Sequence, residues 1–322
     1  MTQRVVVTGA AGFIGSNLVR GLLADGYTVV GIDSFDDFYD PRLKHHNMSD
    51  FVDNTNFTLH KIDIRDTPGL LDVCDGEIDT VVHMAALAGV RPSAERPIEY
   101  CDVNVAGTMS VLELMGRKSI PHLVFASSSS IYGVNPNVPW TEDAIPQPIS
   151  VYASSKLAGE AMVAHAGAQR GFTAVGTRLF TVYGPGQRPD LAITNFAGRM
   201  LSNTALRVFG DGSALRDFTY VDDIVSGLRS AMDYRPSTFE AFNLARGERV
   251  KLMDVITTLE EVLDVEAKID FFDAITGDVP QTWGSIDKSA AKLGYQPTTR
   301  LRAGIEASKD WFQVVADTVD FA

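Results

Sequence analysis

Within Val151-Tyr152-Ala153-Ser154-Ser155-Lys156 a tyrosine and a lysine stand four residues apart. On a helix they lie about 40° apart around the axis and roughly 6 Å apart along it, so both tips can reach one ligand. A free phenol has a pKa near ~10 and is a poor base at neutral pH. A nearby cation stabilises its phenolate, which can then take a proton from a hydroxyl. A bare YxxxK match is mostly chance, and an amphipathic helix explains it as well. Its weight comes from context: it lies behind a buried-strand pattern and about 140 residues after a glycine-rich turn. Phe125-Ala126-Ser127-Ser128-Ser129-Ser130-Ile131-Tyr132-Gly133 sets a run of hydroxyls at that strand's end. Ligands bind at this edge of α/β sheets, although a polar strand exit accounts for two of the four serines.

The glycine-rich turn is Val5-Val6-Val7-Thr8-Gly9-Ala10-Ala11-Gly12-Phe13-Ile14-Gly15. Gly9 allows the sharp turn, Gly12 lets backbone approach a pyrophosphate, and Gly15 lets helix and strand pack closely. The helix start offers free N–H groups and partial positive charge to phosphates. A second strand pattern then ends in Asp33, an acidic residue suited to ribose hydroxyls and hostile to a 2′-phosphate. Together these features favour NAD over NADP. There is no GxxxxGK[ST] lysine, so the turn is not a P-loop. With an oxidised nicotinamide beside it, Tyr152 could take a hydroxyl proton while hydride leaves the same carbon.

The elements that must position these groups are legible as alternation. β-rich runs at Val5–Thr8, Thr28–Ile32, Thr58–Ile62, Thr80–Met84, Leu123–Ala126 and Ala174–Leu179 are mostly apolar on consecutive residues. That is the pattern of strands buried on both faces. Helical patterns at Phe13–Asp25, Thr67–Cys74, Pro97–Met115 and Val151–Arg170 fill the gaps. The expected fold is α/β, a Rossmann-type doubly wound parallel sheet over residues 1–180. After a turn-rich Gly184–Asp190 stretch come helices near Ile193–Ser202, Asp222–Asp233, Lys251–Leu263 and Leu301–Val315. Short strands are expected near Leu206–Phe209, Ala241–Leu244 and Ala267–Phe271. We expect residues 181–322 to form mainly a smaller C-terminal α/β substrate domain, with some segments returning to the first.

Of the 322 residues, 28 are Lys or Arg and 41 Asp or Glu, a formal charge of −13. No basic stripe exists to neutralise nucleic-acid phosphates. With 45% hydrophobic and 21% charged residues the composition is globular, which excludes a disordered chain. Cys74 and Cys101 form no CxxC pair and the six histidines no HExxH pattern, so neither a disulfide scaffold nor a metal site is expected. No apolar run approaches the ~20 residues of a membrane helix, and no leader precedes Val5. A cytoplasmic protein with no membrane partner is the expectation.

The GxxGxxG spacing with YxxxK resembles the extended short-chain dehydrogenase/reductase family, over nearly the whole chain. The resemblance implies adenine contacts from Asp63 and Ile64, a cofactor wall at Ala85 and Ala86, a nicotinamide-ribose contact from Lys156, and Ser128 bridging the reacting hydroxyl and Tyr152. Thr181-Val182-Tyr183-Gly184-Pro185, Phe209-Gly210-Asp211-Gly212, Arg216-Asp217-Phe218-Thr219-Tyr220 and Gly277-Asp278-Val279-Pro280 look like nucleotide-sugar epimerases and dehydratases. By that similarity Asn195, Val208, Phe209 and Arg216 hold UDP, with Arg216 on the diphosphate and Asp278 nearby. A surface salt bridge is the plainer account of Arg216.

Dehydratases of this family carry an Asp-Glu pair where this chain has Ser129 and Ser130, and nucleotide-glucuronate decarboxylases carry Glu at the second position. The missing acids leave C4 epimerisation. Segments 33–40, 87–93 and 180–190 look most like UDP-glucuronate 4-epimerases, with Thr181 where many relatives have Asn. Ser129, Ser130, Thr181 and Arg188 could then hold a sugar carboxylate, with Arg91 alongside. The family also implies a homodimer through the helices at Pro97–Met115 and Val151–Arg170. Competing readings are a UDP-glucose or UDP-N-acetylhexosamine 4-epimerase, a net nucleotide-sugar oxidoreductase, and a non-catalytic dinucleotide sensor. The sensor has no need of Tyr152, Ser128 and Lys156 together.

Overall fold

Alternate residues of a strand point to opposite faces, so a strand covered on both sides must be apolar throughout. The first strand, β1 (Arg4–Thr8), buries Val5 and Val7 in one apolar layer and Val6 in another. The same division recurs along β2 (Thr28–Asp33), β4 (Thr80–His83), β5 (His122–Ser128) and β6 (Thr173–Leu179). With β3 (Phe57–Lys61) and a late strand, Phe239–Leu244, they form a seven-stranded parallel sheet. Its order is Phe239–Leu244, β6, β5, β4, β1, β2, β3. This is a computed structural model, and it describes residues 3–236, 238–273 and 279–321.

Helix Phe13–Ala24, through Leu18 and Leu22, and helix Val221–Asp233, through Ile224 and Leu228, cover one face. Helices Thr67–Val73, Gly107–Arg117 and Val151–Arg170 cover the other through Leu70, Leu112 and Val163. The chain leaves β1 toward β2 on one side and reaches β4 on the other. A crevice opens where such connections part, outside the carboxyl ends of the strands. A smaller region of paired short strands stands over that edge: Thr181–Tyr183 with Phe218–Tyr220, Leu206–Phe209 with Ile269–Phe272, and Leu215–Arg216 with Val250–Lys251. No helix among the described residues is long and apolar enough to cross a membrane.

Two expected helices are interrupted. The one beginning at Pro97 breaks at Cys101 into a wide π-type turn, Asp102–Ala106, then resumes over Gly107–Arg117. Buried Asn104 sits in this turn, and its amide grips the loop after β4. Insertions of this kind often mark functional sites. The last helix divides into Leu301–Glu306 and Lys309–Thr318. Between them the Ser308 hydroxyl donates to the Gly304 carbonyl at 2.6 Å, a side-chain bond that competes with the helical ladder. Helix Pro41–Met48 was not anticipated, because its composition is polar, yet Asp40 caps it and Pro41 starts it.

His122, fully buried at the start of β5, contacts the Thr173 hydroxyl through Nδ1 at 2.8 Å and the Ala231 carbonyl through Nε2 at 3.0 Å. Burial pulls its pKa down to about 4. The folded ring stays neutral while the unfolded ring takes up a proton near pH ~6.5. Its contribution to stability is therefore present above pH ~6.5 and lost as pH falls toward 4. We expect His122→Gln to reduce the pH slope of unfolding free energy between pH 6 and 5 by about 1 kcal/mol per pH unit, measured by urea denaturation. An unchanged slope would show that the folded ring is charged.

Candidate active site

The glycine turn is built as a cradle. Gly9 has φ +70° and donates its N–H to the Ile32 carbonyl at 2.7 Å, tying the turn to β2. A Cβ on Gly15 would run into the Gly9 carbonyl oxygen, so helix and turn approach as only glycine permits. At the end of β2 the Asp33 carboxylate accepts from Ala11 N at 3.1 Å and Phe35 N at 2.8 Å. Lys44, from the unanticipated helix, donates to Asp33 at 3.1 Å, and both side chains are buried. The Asp40-Pro41 helix start was the available signal for Lys44.

These groups open on one cavity of about 470 Å³. Gly9, Gly12, Phe13, Ile14, Gly15, Asp33, Asp63, Ile64, Ala85 and Ala86 line it, as do Ser128, Ser129, Ser130, Tyr152, Lys156, Thr181 and Arg188. The Asp63 carboxylate is engaged by Arg65, which also pairs with Asp102. Arg91, Asn195, Val208, Phe209 and Arg216 do not line the cavity. The Arg91 guanidinium stacks 5.0 Å from the Phe209 ring, and Phe209 lies 5.6 Å from Phe272. Asn195 donates to the Pro189 carbonyl at 3.1 Å, and Val208 is buried. Asp278 lies outside the described residues.

Arg216 sits on the short strand paired with Val250–Lys251. The next residue, Asp217, is fully buried and accepts backbone N–H groups from Arg246 at 2.8 Å, Gly247 at 3.1 Å and Gly284 at 3.2 Å. One carboxylate thus ties two distant segments to the strand that carries Arg216. Burial pushes Asp217 up to about 7, against the opposing pull of those donors.

Tyr152 and Lys156 project from the first two turns of helix Val151–Arg170, whose start Ser150 caps by accepting from Ala153 N. The Ser128 hydroxyl stands near enough to the Tyr152 phenol to draw its pKa down, and the Tyr100 ring packs edge-on at 6.4 Å. Burial raises the Tyr152 pKa, partly offset by Ser128 and by the Arg188 charge. Lys156 donates to the Ala126 carbonyl at 2.8 Å. Burial lowers it to about 8. The Ser128 oxygen accepts from Ser130 N at 3.1 Å, and the Ser130 hydroxyl oxygen is buried with no partner among the described residues.

Two supports were not visible in sequence. The first is neutral. Thr108 donates to the Asn104 carbonyl at 2.6 Å, so it accepts from His83 Nε2 at 3.1 Å. Nδ1 of His83 then accepts from Thr8 at 2.7 Å. Burial and the Lys156 charge hold His83 down to about 3. Asn104 continues the chain to Ser155 at 3.0 Å on the Tyr152 helix. The second support is ionic. Glu160 accepts from Arg178 at 2.9 and 2.8 Å and from Ser127 at 2.5 Å. Arg178 also donates to Tyr132 at 3.0 Å, and Tyr132 donates to Asn243 at 2.7 Å. Burial works against the Arg178 charge, and Glu160 more than restores it.

A profile of the NAD dependent epimerase/dehydratase family matches residues 5–245. UDP-glucuronate 4-epimerase of Thermodesulfobacterium geofontis is 36% identical over 95% of this chain and 95% of its own. The crystal structure of UDP-glucuronic acid 4-epimerase from Bacillus cereus, in complex with UDP-glucuronic acid and NAD, is 36% identical with a TM-score of 0.91. It matches over 97% of this chain and 100% of that one. UDP-glucose 4-epimerase from Thermotoga maritima is 28% identical with a TM-score of 0.89, covering 97% and 99%. Backbone likeness alone therefore does not separate these sugars.

Removing one member of a buried ion pair leaves the other charge uncompensated. We expect Glu160→Ala to lower unfolding free energy by about 3–5 kcal/mol in urea denaturation, and Glu160→Leu with Arg178→Met to recover most of it. A loss below about 1 kcal/mol would show that the pair does not hold the helix.

Proposed function

The chain belongs to the NAD dependent epimerase/dehydratase family, and we propose that it is a UDP-glucuronate 4-epimerase. It interconverts UDP-glucuronate and UDP-galacturonate through a transient 4-keto sugar. The observation that carries this reading is one cavity shared by the glycine cradle, the Tyr152–Ser128 contact and the Arg188 cation.

The residues fit NAD. The cradle leaves no room for side chains at Gly9 and Gly15, and Asp33 ends β2 beside it. The Gly9–Gly15 turn and the helix start hold the pyrophosphate. Asp33 accepts from the adenosine ribose, with Lys44 balancing its charge. Asp63 and Ile64 meet adenine, Ala85 and Ala86 form the wall, and Lys156 holds the nicotinamide ribose. Bound there, NAD would supply a hydride acceptor and donor for C4 of the sugar.

Tyr152 is the base that takes the C4 hydroxyl proton and the acid that restores it, with Ser128 bridging the two oxygens. Its pKa is raised in the free chain, so it waits as a phenol until further positive charge enters the loaded cavity. No carboxylate stands at Ser129 or Ser130 to remove a C5 proton or expel the C6 group. Asn195, Val208, Phe209, Arg216 and Asp278 hold UDP, Arg216 on the diphosphate. Asp217 sets Arg216 by tying the surrounding segments.

The substrate carboxylate is met by Ser129, Ser130, Thr181 and Arg188, with Arg91 at the edge. A buried hydroxyl oxygen without a partner at Ser130 supports this assignment. The oxidised sugar is a β-keto acid, prone to lose carbon dioxide. Fixing the carboxylate out of line with the ketone π system protects it, and positioning of this kind is worth orders of magnitude in rate. We read the working form as a cytoplasmic homodimer. Ile98, 85% exposed, and Met109 stand exposed on the Pro97–Arg117 segment, and Ala161 and Ala168 are exposed on helix Val151–Arg170. An acidic composition and two free cysteines agree with a reducing compartment.

Incubation with UDP-glucuronate, UDP-glucose and UDP-N-acetylglucosamine separately, with products resolved by NMR, tests the reading. We expect inversion of UDP-glucuronate, deuterium at C4 retained in the product, and no net change in absorbance at 340 nm. Tyr152→Phe should lower turnover by about 10²–10⁴-fold while cofactor still binds. Inversion of only the neutral sugars would remove the substrate assignment. Washout of the deuterium into water would remove the mechanism.

A further inference from the structure

Arg188 is a cation in an enclosed place. Its side chain is 13% exposed, and its guanidinium lies 4.9 Å from the Phe38 ring centre. Nε donates to Asp190 at 2.9 Å and Nη2 to the other Asp190 oxygen at 2.8 Å. This uses one edge of the planar fork. A guanidinium has five N–H groups, so the Nη1–Nη2 edge keeps a parallel pair suited to a second carboxylate. Among the described residues no hydrogen bond engages Nη1. Arg188 lines the cavity, and its charge is felt at Tyr152.

The ion pair is not what holds this loop in shape. Neutral bonds do that. The Gln187 side chain donates to the Val182 carbonyl and accepts from the Thr194 N–H and hydroxyl. Trp311 donates to the Gln187 carbonyl, Asn17 to the Pro185 carbonyl and Asn195 to the Pro189 carbonyl. Asp190 itself is 41% exposed, so water screens its charge from anything beyond the guanidinium. What it imposes on Arg188 is orientation.

We infer that Asp190 is a positioning residue for substrate selectivity: it clasps Arg188 by the Nε–Nη2 edge and leaves the Nη1–Nη2 edge preset for a carboxylate on the sugar. A neutral hydroxymethyl group uses at most one of those donors, so the preset edge favours the acid over the neutral sugar. The inference rests on the carboxylate reading above and adds a residue that does not touch substrate.

The test is a binding experiment on NAD-loaded Tyr152→Phe protein, titrated with UDP-glucuronate and UDP-glucose by calorimetry. The parent should prefer UDP-glucuronate. Adding Asp190→Ala should weaken UDP-glucuronate by about tenfold and leave UDP-glucose within about twofold, since only the bidentate contact loses its preset geometry. Asp190→Asn, which keeps one acceptor, should fall between. Unaltered UDP-glucose binding also reports a folded protein. Equal weakening of both sugars, or an unchanged ratio, overturns the positioning role while leaving the carboxylate reading intact. A parent with no preference for UDP-glucuronate overturns the carboxylate reading and this inference with it.

Discussion

A carboxylate and a guanidinium buried together behind the cavity determine where Tyr152 and Ser128 can stand. Tyr152, Lys156 and Glu160 follow one another at four-residue, turn-length steps, so the three share one face of helix Val151–Arg170. Arg178 holds Glu160 from β6, while Ser127 holds it from β5, next to Ser128. Rotating the helix would break these bonds and carry the Tyr152 hydroxyl away from Ser128. Two charges taken out of water are tolerated because each has further partners: Ser127 for Glu160, Tyr132 and the Glu142 carbonyl for Arg178. Through Tyr132 and Asn243 the same network reaches the last strand of the sheet and the carbonyls of Trp140 and Ser285.

The other half of the site depends on charge held locally against the net charge of the chain. The protein is strongly acidic overall, yet Lys44, Lys156 and Arg188 all line the cavity. Each is anchored differently: Lys44 on a carboxylate, Lys156 on a backbone carbonyl, Arg188 on Asp190. Beneath them the Thr8–His83–Thr108–Asn104–Ser155 chain is neutral, because burial and Lys156 both disfavour a charged His83. It can therefore stiffen the base of the cavity without adding a competing cation.

Much of the scaffold was legible because its signals are local. Continuous apolar runs meant strands buried on both faces, and the Val5, Val6, Val7 division between two cores is the physical content of that pattern. Gly9, Gly12 and Gly15 announced a tight turn, with no room for a Cβ at Gly9 or Gly15, and Tyr152 and Lys156 announced a shared helix face. The residues carried over by resemblance divide. Those on the sheet edge and in the Thr181–Arg188 stretch meet in one cavity, whereas Asn195, Val208, Phe209 and Arg216 stand in the smaller region beyond it. The break at Asp102–Ala106 escaped notice because the same apolar periodicity runs through both flanking helices.

By itself the sequence determined the order and kind of most elements, the glycine turn and the shared helix face of Tyr152 and Lys156. Each depends on residues within a turn or a strand of one another, where backbone geometry converts spacing into position. Only the tertiary structure decided that Glu160 meets Arg178, that Lys44 meets Asp33, that Asn104 reaches Ser155, and that Lys156 holds the Ala126 carbonyl. These partners lie far apart along the chain. Which of several charged or polar groups find each other there is set by how helices pack on the sheet and by the cost of burying a polar group unpaired, and no local pattern encodes either.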